Sequence, residues 1–221
     1  MVLDFADENP NIEVIGIDLT DFKPTWVPPN LSFEVVGCLG LGNFDVSSQD
    51  FVHLRDLKGR IGNWGEFVKE VFNVLKPGGV AEFHESNIEF QSKAELPKDS
   101  YMKEWGNLFR EAGAKRGARF DVVESGLLLS SLRAAGFSDI EEYLYEVPIE
   151  RWQQRGQLER LGWLERVCDI EGSILRPAVE DLKWTEQQCY VFAAHLRREL
   201  KKTTVKPYTR RLVVVCKKPS T

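Results

Sequence analysis

The 221 residues are enough for one α/β domain with an elaboration and short for two independent cores. With 43% hydrophobic and 29% charged residues the composition is that of an ordinary soluble globular protein. The net charge of −5 argues against non-specific nucleic-acid binding, which needs a basic surface to neutralise phosphates.

Four cysteines (Cys38, Cys168, Cys189 and Cys216) have no C-x-x-C spacing, so the common zinc arrangements and a disulfide framework are not indicated, and the spacing singles out no metal ligands. The opening MVLDFADENP lacks the basic-then-apolar pattern of a secretory signal, and no apolar stretch approaches a membrane span. A cytoplasmic location is expected, with the nucleus as the alternative.

Residues 1–8 read as the tail of a helix ending before Pro10. Glu13 to Asp18 is a compact apolar run closed by an acid, which fits a strand buried on both faces of a parallel sheet. Pro24, Pro28 and Pro29 then forbid regular structure until Leu31, and Phe33–Val36 is a second strand followed by glycines at 37, 40 and 42. Asp50–Leu54 is a third strand. Ile61, Trp64, Phe67, Val68, Val71, Phe72 and Leu75 recur at steps of three and four, which predicts an amphipathic helix. It stops at Lys76-Pro77-Gly78-Gly79, a turn in which glycine takes the positive φ.

Val80–Glu85 reads as a fourth strand, and helices are expected over 101–114 and 124–135, the second closed by Gly136. Asp139–Val147 alternates like a strand with one wetter face. Residues 150–202 look helical, and their basic cluster Arg197, Arg198, Lys201 and Lys202 suits a solvated helix C-terminus. Arg211–Cys216 is a last strand. The order implies one α/β domain with a doubly wound, mainly parallel sheet of Rossmann-like type, an antiparallel edge and a helical insertion over 150–202.

The segments Val14-Ile15-Gly16-Ile17-Asp18-Leu19, Trp26-Val27-Pro28-Pro29-Asn30, Phe51-Val52-His53-Leu54-Arg55 and Leu75-Lys76-Pro77-Gly78-Gly79 resemble the fungal LaeA-like methyltransferases. Ala134-Ala135-Gly136-Phe137 and Tyr208–Val214 are similar to later segments of that family. The resemblance implies a class I fold that uses S-adenosylmethionine, with Asp18, Leu19, Gly37, His53 and Arg55 on the cofactor side. A carboxylate at the C-terminal end of a parallel strand sits where open α/β sheets bind ligands, and it suits a vicinal diol such as the cofactor ribose. His84 and Glu85, after a buried-looking strand, are the candidate catalytic groups, although neighbours on a strand point to opposite faces. Trp105, Trp152 and Trp163 are candidate substrate contacts, the last two on the insertion that would form a lid or a packing layer.

Two departures from the family pattern bear on the cofactor. Relatives carry a glycine-rich turn between the first strand and first helix, whereas Met1–Asp7 corresponds to the helix beyond that turn, so the turn and the first strand are missing from this sequence. That strand would lie between those ending at Asp18 and Leu54, leaving two rows of backbone groups to satisfy. The neighbours close on each other, a partner chain or second copy donates a strand, or the sequence is a shortened version. Gly37-Cys38-Leu39-Gly40-Leu41-Gly42 is no substitute phosphate loop, because too few residues precede the strand at Asp50 for a crossover helix. Val36-Gly37 also stands where relatives place an acid for the adenine amino group, with Asp45 further along.

The residues leave three functions open: a small-molecule methyltransferase with a degenerate S-adenosylmethionine site, a cofactor-independent cyclase on the same fold, or a non-catalytic regulatory or binding protein. An enzyme is favoured. The cyclase would hold its substrate in an apolar pocket anchored by His53, Arg55, His84 and Glu85. The regulatory protein would use the exposed sheet edge to dock a protein partner.

Overall fold

The computed structural model describes residues 2–18, 26–35, 40–149, 168–202 and 205–220. Leu19, Gly37, Cys38, Trp152 and Trp163 lie outside the described residues. Helix α1 (Val2–Glu8) leads to strands β1 (Val14–Asp18) and β2 (Leu31–Val35), and a 3-10 turn at Gly40–Asn43 precedes β3 (Gln49–Arg55). Then come α2 (Trp64–Val74), β4 (Leu75–Ser86), α3 (Tyr101–Arg116), α4 (Leu127–Ala135) and β5 (Ser138–Pro148). The chain continues through α5 (Ile170–Arg176), a π turn at Pro177–Asp181 and α6 (Glu186–Lys202) to the closing strand β6 (Tyr208–Lys217). No described helix is long and apolar enough to cross a membrane.

The fold is α/β, as the alternating pattern implies, but the sheet is split. β1 and β2 pair in parallel as one ribbon, and β3-β4-β6-β5 form a separate sheet in which β3 and β4 are parallel and β6 runs antiparallel to both its neighbours. The antiparallel strand is thus one in from the edge. β1 and β3 do not pair among the described residues, so the neighbours of the expected first strand have not closed on each other. This corrects the expectation that β1 is buried on both faces: Ile17 is 40% exposed and Val35 49% exposed, because a two-stranded ribbon has too little sheet to cover them.

Asn30, the last residue of the Trp-Val-Pro-Pro-Asn run, anchors α1 to this ribbon. Its side-chain amide donates to the carbonyls of Ala6 (3.1 Å), Asn9 (3.1 Å) and Ile12 (2.8 Å). The first two also accept from backbone amides, Ala6 O from Asn9 N–H (3.3 Å) and Asn9 O from Ile12 N–H (3.0 Å), so Asn30 adds a second donor to each. Asn30→Ala is expected to cost about 1–3 kcal/mol by removing the amide that ties the three carbonyls to the ribbon. Amide hydrogen exchange should rise over residues 2–18 and stay unchanged in α2; a uniform response would sink this account.

α2 covers one face of the larger sheet. It begins at Trp64, later than the apolar stripe suggests, because the Asn63 side chain accepts from Glu66 N–H and caps the helix there. Trp64, Phe67, Val68 and Val71 pack on Leu54, Ala81, Phe83 and Val214, with Leu128 and Leu132 of α4 completing the core. The Lys76–Gly79 segment is absorbed into β4 as an irregularity: Gln49 pairs with Leu75 and Phe51 with Val80, while Gly78 takes φ +81°. That positive φ is where glycine is required.

A second core joins α3 to α5 and α6, so the insertion is not self-contained. Glu199 of α6 accepts from Ser100 Oγ (2.6 Å) and Tyr101 N–H (2.7 Å), capping α3 from a residue nearly a hundred positions away. Arg197 forms a two-point ion pair with Glu171 of α5 (2.9 and 2.6 Å), so it fastens helices together instead of belonging to a solvated basic face.

Candidate functional site

The split in the sheet opens a crevice of about 530 Å³ between β1 and β3. Its apolar walls include Ile15, Ile17, Leu41, Phe44 and Phe51. Its polar groups include Asp18 at the end of β1, His53 within β3, and Arg55 and Asp56 at the end of β3. Ligands of open α/β sheets lie at such strand ends. Asp56 turns the chain out of β3 with φ +52°, an uncommon conformation for a residue other than glycine. Lys58 Nζ sits 2.7 Å from its Oδ1 and Ser86 Oγ donates to the same oxygen at 3.3 Å. Burial works to raise the Asp56 carboxyl, but the cations of Lys58, Arg211 and Arg55 outweigh it and hold the group at about 2.

Glu85 lies beneath this turn, 1% exposed. It accepts from Leu57 N–H at 2.7 Å and Lys58 N–H at 3.3 Å, and so fixes the path of the crevice wall. Burial, with Asp56 adding repulsion, pushes its carboxyl up to about 7 against the opposing pull of Lys58 and the two amides.

On β3 and β4, His53 stands in register with Glu82, and His84 follows Glu82 by two residues on the same face. Glu82 Oε1 lies 3.1 Å from His53 Nδ1 and 2.7 Å from His84 Nε2. His53 Nε2 is buried without a hydrogen-bond partner. Burial and the neighbouring His84 lower the His53 pKa, with Glu82 opposing them.

Asp18, His53 and Arg55 are therefore gathered along one crevice. His84 and Glu85 are not a working pair: Glu85 is sealed under the loop and His84 points to the opposite face, toward Glu82. Trp105 does not reach the crevice. It is 1% exposed in the second core, where its Nε1–H donates to Ile88 O at 2.8 Å. The sequence reasoning missed Asp56, Lys58 and Glu82. Spacing alone offered one signal, the Glu82-x-His84 step that places both residues on one face of a strand.

No family model matches the sequence. Among solved structures, YcgJ from Bacillus subtilis superposes with a TM-score of 0.55 at 15% identity, over 96% of this chain and 85% of that one. The [4+2]-cyclase SpnF matches at 0.54 and 19%, over 99% and 70%. A S-adenosylmethionine-dependent methyltransferase from Archaeoglobus fulgidus matches at 0.51 and 13%, over 98% and 80%. The chain has the Rossmann-like fold of the class I methyltransferases.

By sequence it is 29% identical over 210 residues to the methyltransferase pytC of Aspergillus terreus, covering 93% of this chain and 64% of pytC. It is 32% identical over 166 residues to the secondary metabolism regulator LAE1 of Cochliobolus heterostrophus, covering 72% of this chain and 52% of LAE1. The protein-methionine methyltransferase laeA of Emericella nidulans is 22% identical over 228 residues, covering 98% and 59%. These homologues are fungal LaeA-like and pytC methyltransferases, and the chain spans less than two thirds of their length.

Proposed function

We propose that the chain is methyltransferase-like and takes a small organic molecule in the crevice between β1 and β3, with a reduced S-adenosylmethionine site. The observation that carries this is the crevice itself: Asp18 and the Arg55-Asp56 pair lie at the strand ends along one apolar-walled cleft. The fit to the cofactor is partial. Asp18 supplies the carboxylate that a ribose diol needs, and the apolar walls suit a purine. No glycine lines the crevice among the described residues, so nothing there offers the close backbone approach that the methionine part requires. S-adenosylmethionine supplies a sulfonium methyl where it binds; with this partial fit, no transfer step is assigned to these side chains.

The test is calorimetric titration with S-adenosylmethionine and S-adenosylhomocysteine, with Asp18→Ala as control. Asp18 is exposed, so its truncation removes little packing. Micromolar binding, weakened on the order of ten- to a hundredfold by the substitution, is the expected result, the size of losing a charge-assisted hydrogen bond. No binding at millimolar ligand would overturn cofactor use by this chain. The apolar lining of the described residues would then favour the second reading, a cofactor-independent cyclase that holds its substrate in a reactive shape.

A further inference from the structure

We propose that His53, Glu82 and His84 form a binding site for a divalent transition-metal ion of the zinc class. The three residues stand on two adjacent hydrogen-bonded strands, and each offers a ligand atom within 4.8 Å of the others. Metal bonds of about 2.0–2.1 Å in a tetrahedral site put ligand atoms about 3.3 Å apart. The distances of 3.1 Å and 2.7 Å to Glu82 Oε1, with the remaining separation inside 4.8 Å, need only small side-chain adjustments to reach that spacing. The strands fix the three Cα positions, so little ordering is left for the ion to impose.

Charge points the same way. Glu82 is a half-buried carboxylate, 29% exposed on its side chain, and its partners among the described residues are the two imidazoles and no Lys or Arg. The nearby cations are committed elsewhere: Lys58 lies 2.7 Å and Arg55 3.4 Å from Asp56. Arg55 is in register with His84 and works against the ion, an effect its pairing with Asp56 offsets. Two imidazoles and one carboxylate are a donor set for zinc, cobalt or ferrous iron. Calcium and magnesium prefer all-oxygen shells. Soft ions would need a thiolate, and the buried Cys216 thiol bonds to Ala81 O instead. Three protein ligands leave a coordination position for water.

The experiment uses the chelator-stripped full chain, without S-adenosylmethionine, titrated with Zn²⁺ by calorimetry and with Co²⁺ by visible absorption. This keeps its outcome separate from the cofactor titration. One equivalent should bind at micromolar or lower concentration, with Glu82→Gln and His84→Gln each weakening it at least tenfold. His195→Ala and Cys168→Ser should leave it unchanged. X-ray absorption of the zinc-loaded wild type, which does not depend on any variant folding, should show only nitrogen and oxygen ligands including two imidazoles. Absence of saturable binding, sulfur in the shell, or affinity indifferent to Glu82 and His84 would each overturn the assignment.

Discussion

Trp105→Ala is expected to cost about 3–5 kcal/mol of unfolding free energy, the range for emptying a large aromatic site from a packed core. The side chain is 1% exposed and packs at ring-centroid distances of 5.7 Å from Phe90 and 4.9 Å from Phe109. Its removal also strands the Ile88 carbonyl, which now accepts from the indole at 2.8 Å. A loss of this size is a large part of the roughly 5–15 kcal/mol that holds a typical domain together. Trp105→Phe keeps most of the volume and loses the hydrogen bond, so it should fall between the alanine variant and wild type. The measurement is a urea unfolding midpoint for each, read at unchanged slope. Unchanged stability with weakened ligand binding would instead return Trp105 to the substrate contacts suggested by the sequence.

Glu85 should make stability fall with pH across the near-neutral range. Its carboxyl titrates near 4.5 when unfolded and at about 7 in the folded chain, so the native state holds the extra proton between those values. The stability it contributes is fully present below about 4.5 and is lost as the pH rises through about 7. At 1.36 kcal/mol per unit, the change across the window is on the order of 3 kcal/mol. Asp56 acts in a separate range with the opposite sign: its contribution is present above 3.8 and lost as the pH falls through about 2. Glu85→Gln retains an oxygen to accept from Leu57 N–H and removes the titration. Its unfolding free energy should therefore be flatter than that of wild type between pH 4.5 and 7. Parallel profiles in the two proteins would show that Glu85 is ionised in the folded chain.

The elements themselves were legible because their signals are local. The three-and-four spacing from Trp64 to Val74, the stop at Gly136 and the alternation toward Val147 each depend on residues within a turn or two. The strand period also told that His84 and Glu85 face opposite ways. What the sequence could not show was which distant segments meet. The His53–Glu82 contact spans 29 positions and exists because β3 and β4 pair in one register. Trp105 lies in a predicted helix, but burial or exposure depends on α5 and α6 docking over it. Glu85 gains its role from backbone amides 27 and 28 residues earlier. The sequence by itself thus determined the class of fold, its periodic elements and the acid at the end of β1. Only the tertiary structure decided that the sheet opens between β1 and β3, that Glu85 is sealed and that two histidines share one carboxylate. Helix and strand periods are written in neighbouring residues, while sheet register and helix docking are settled by contacts between segments far apart in the chain.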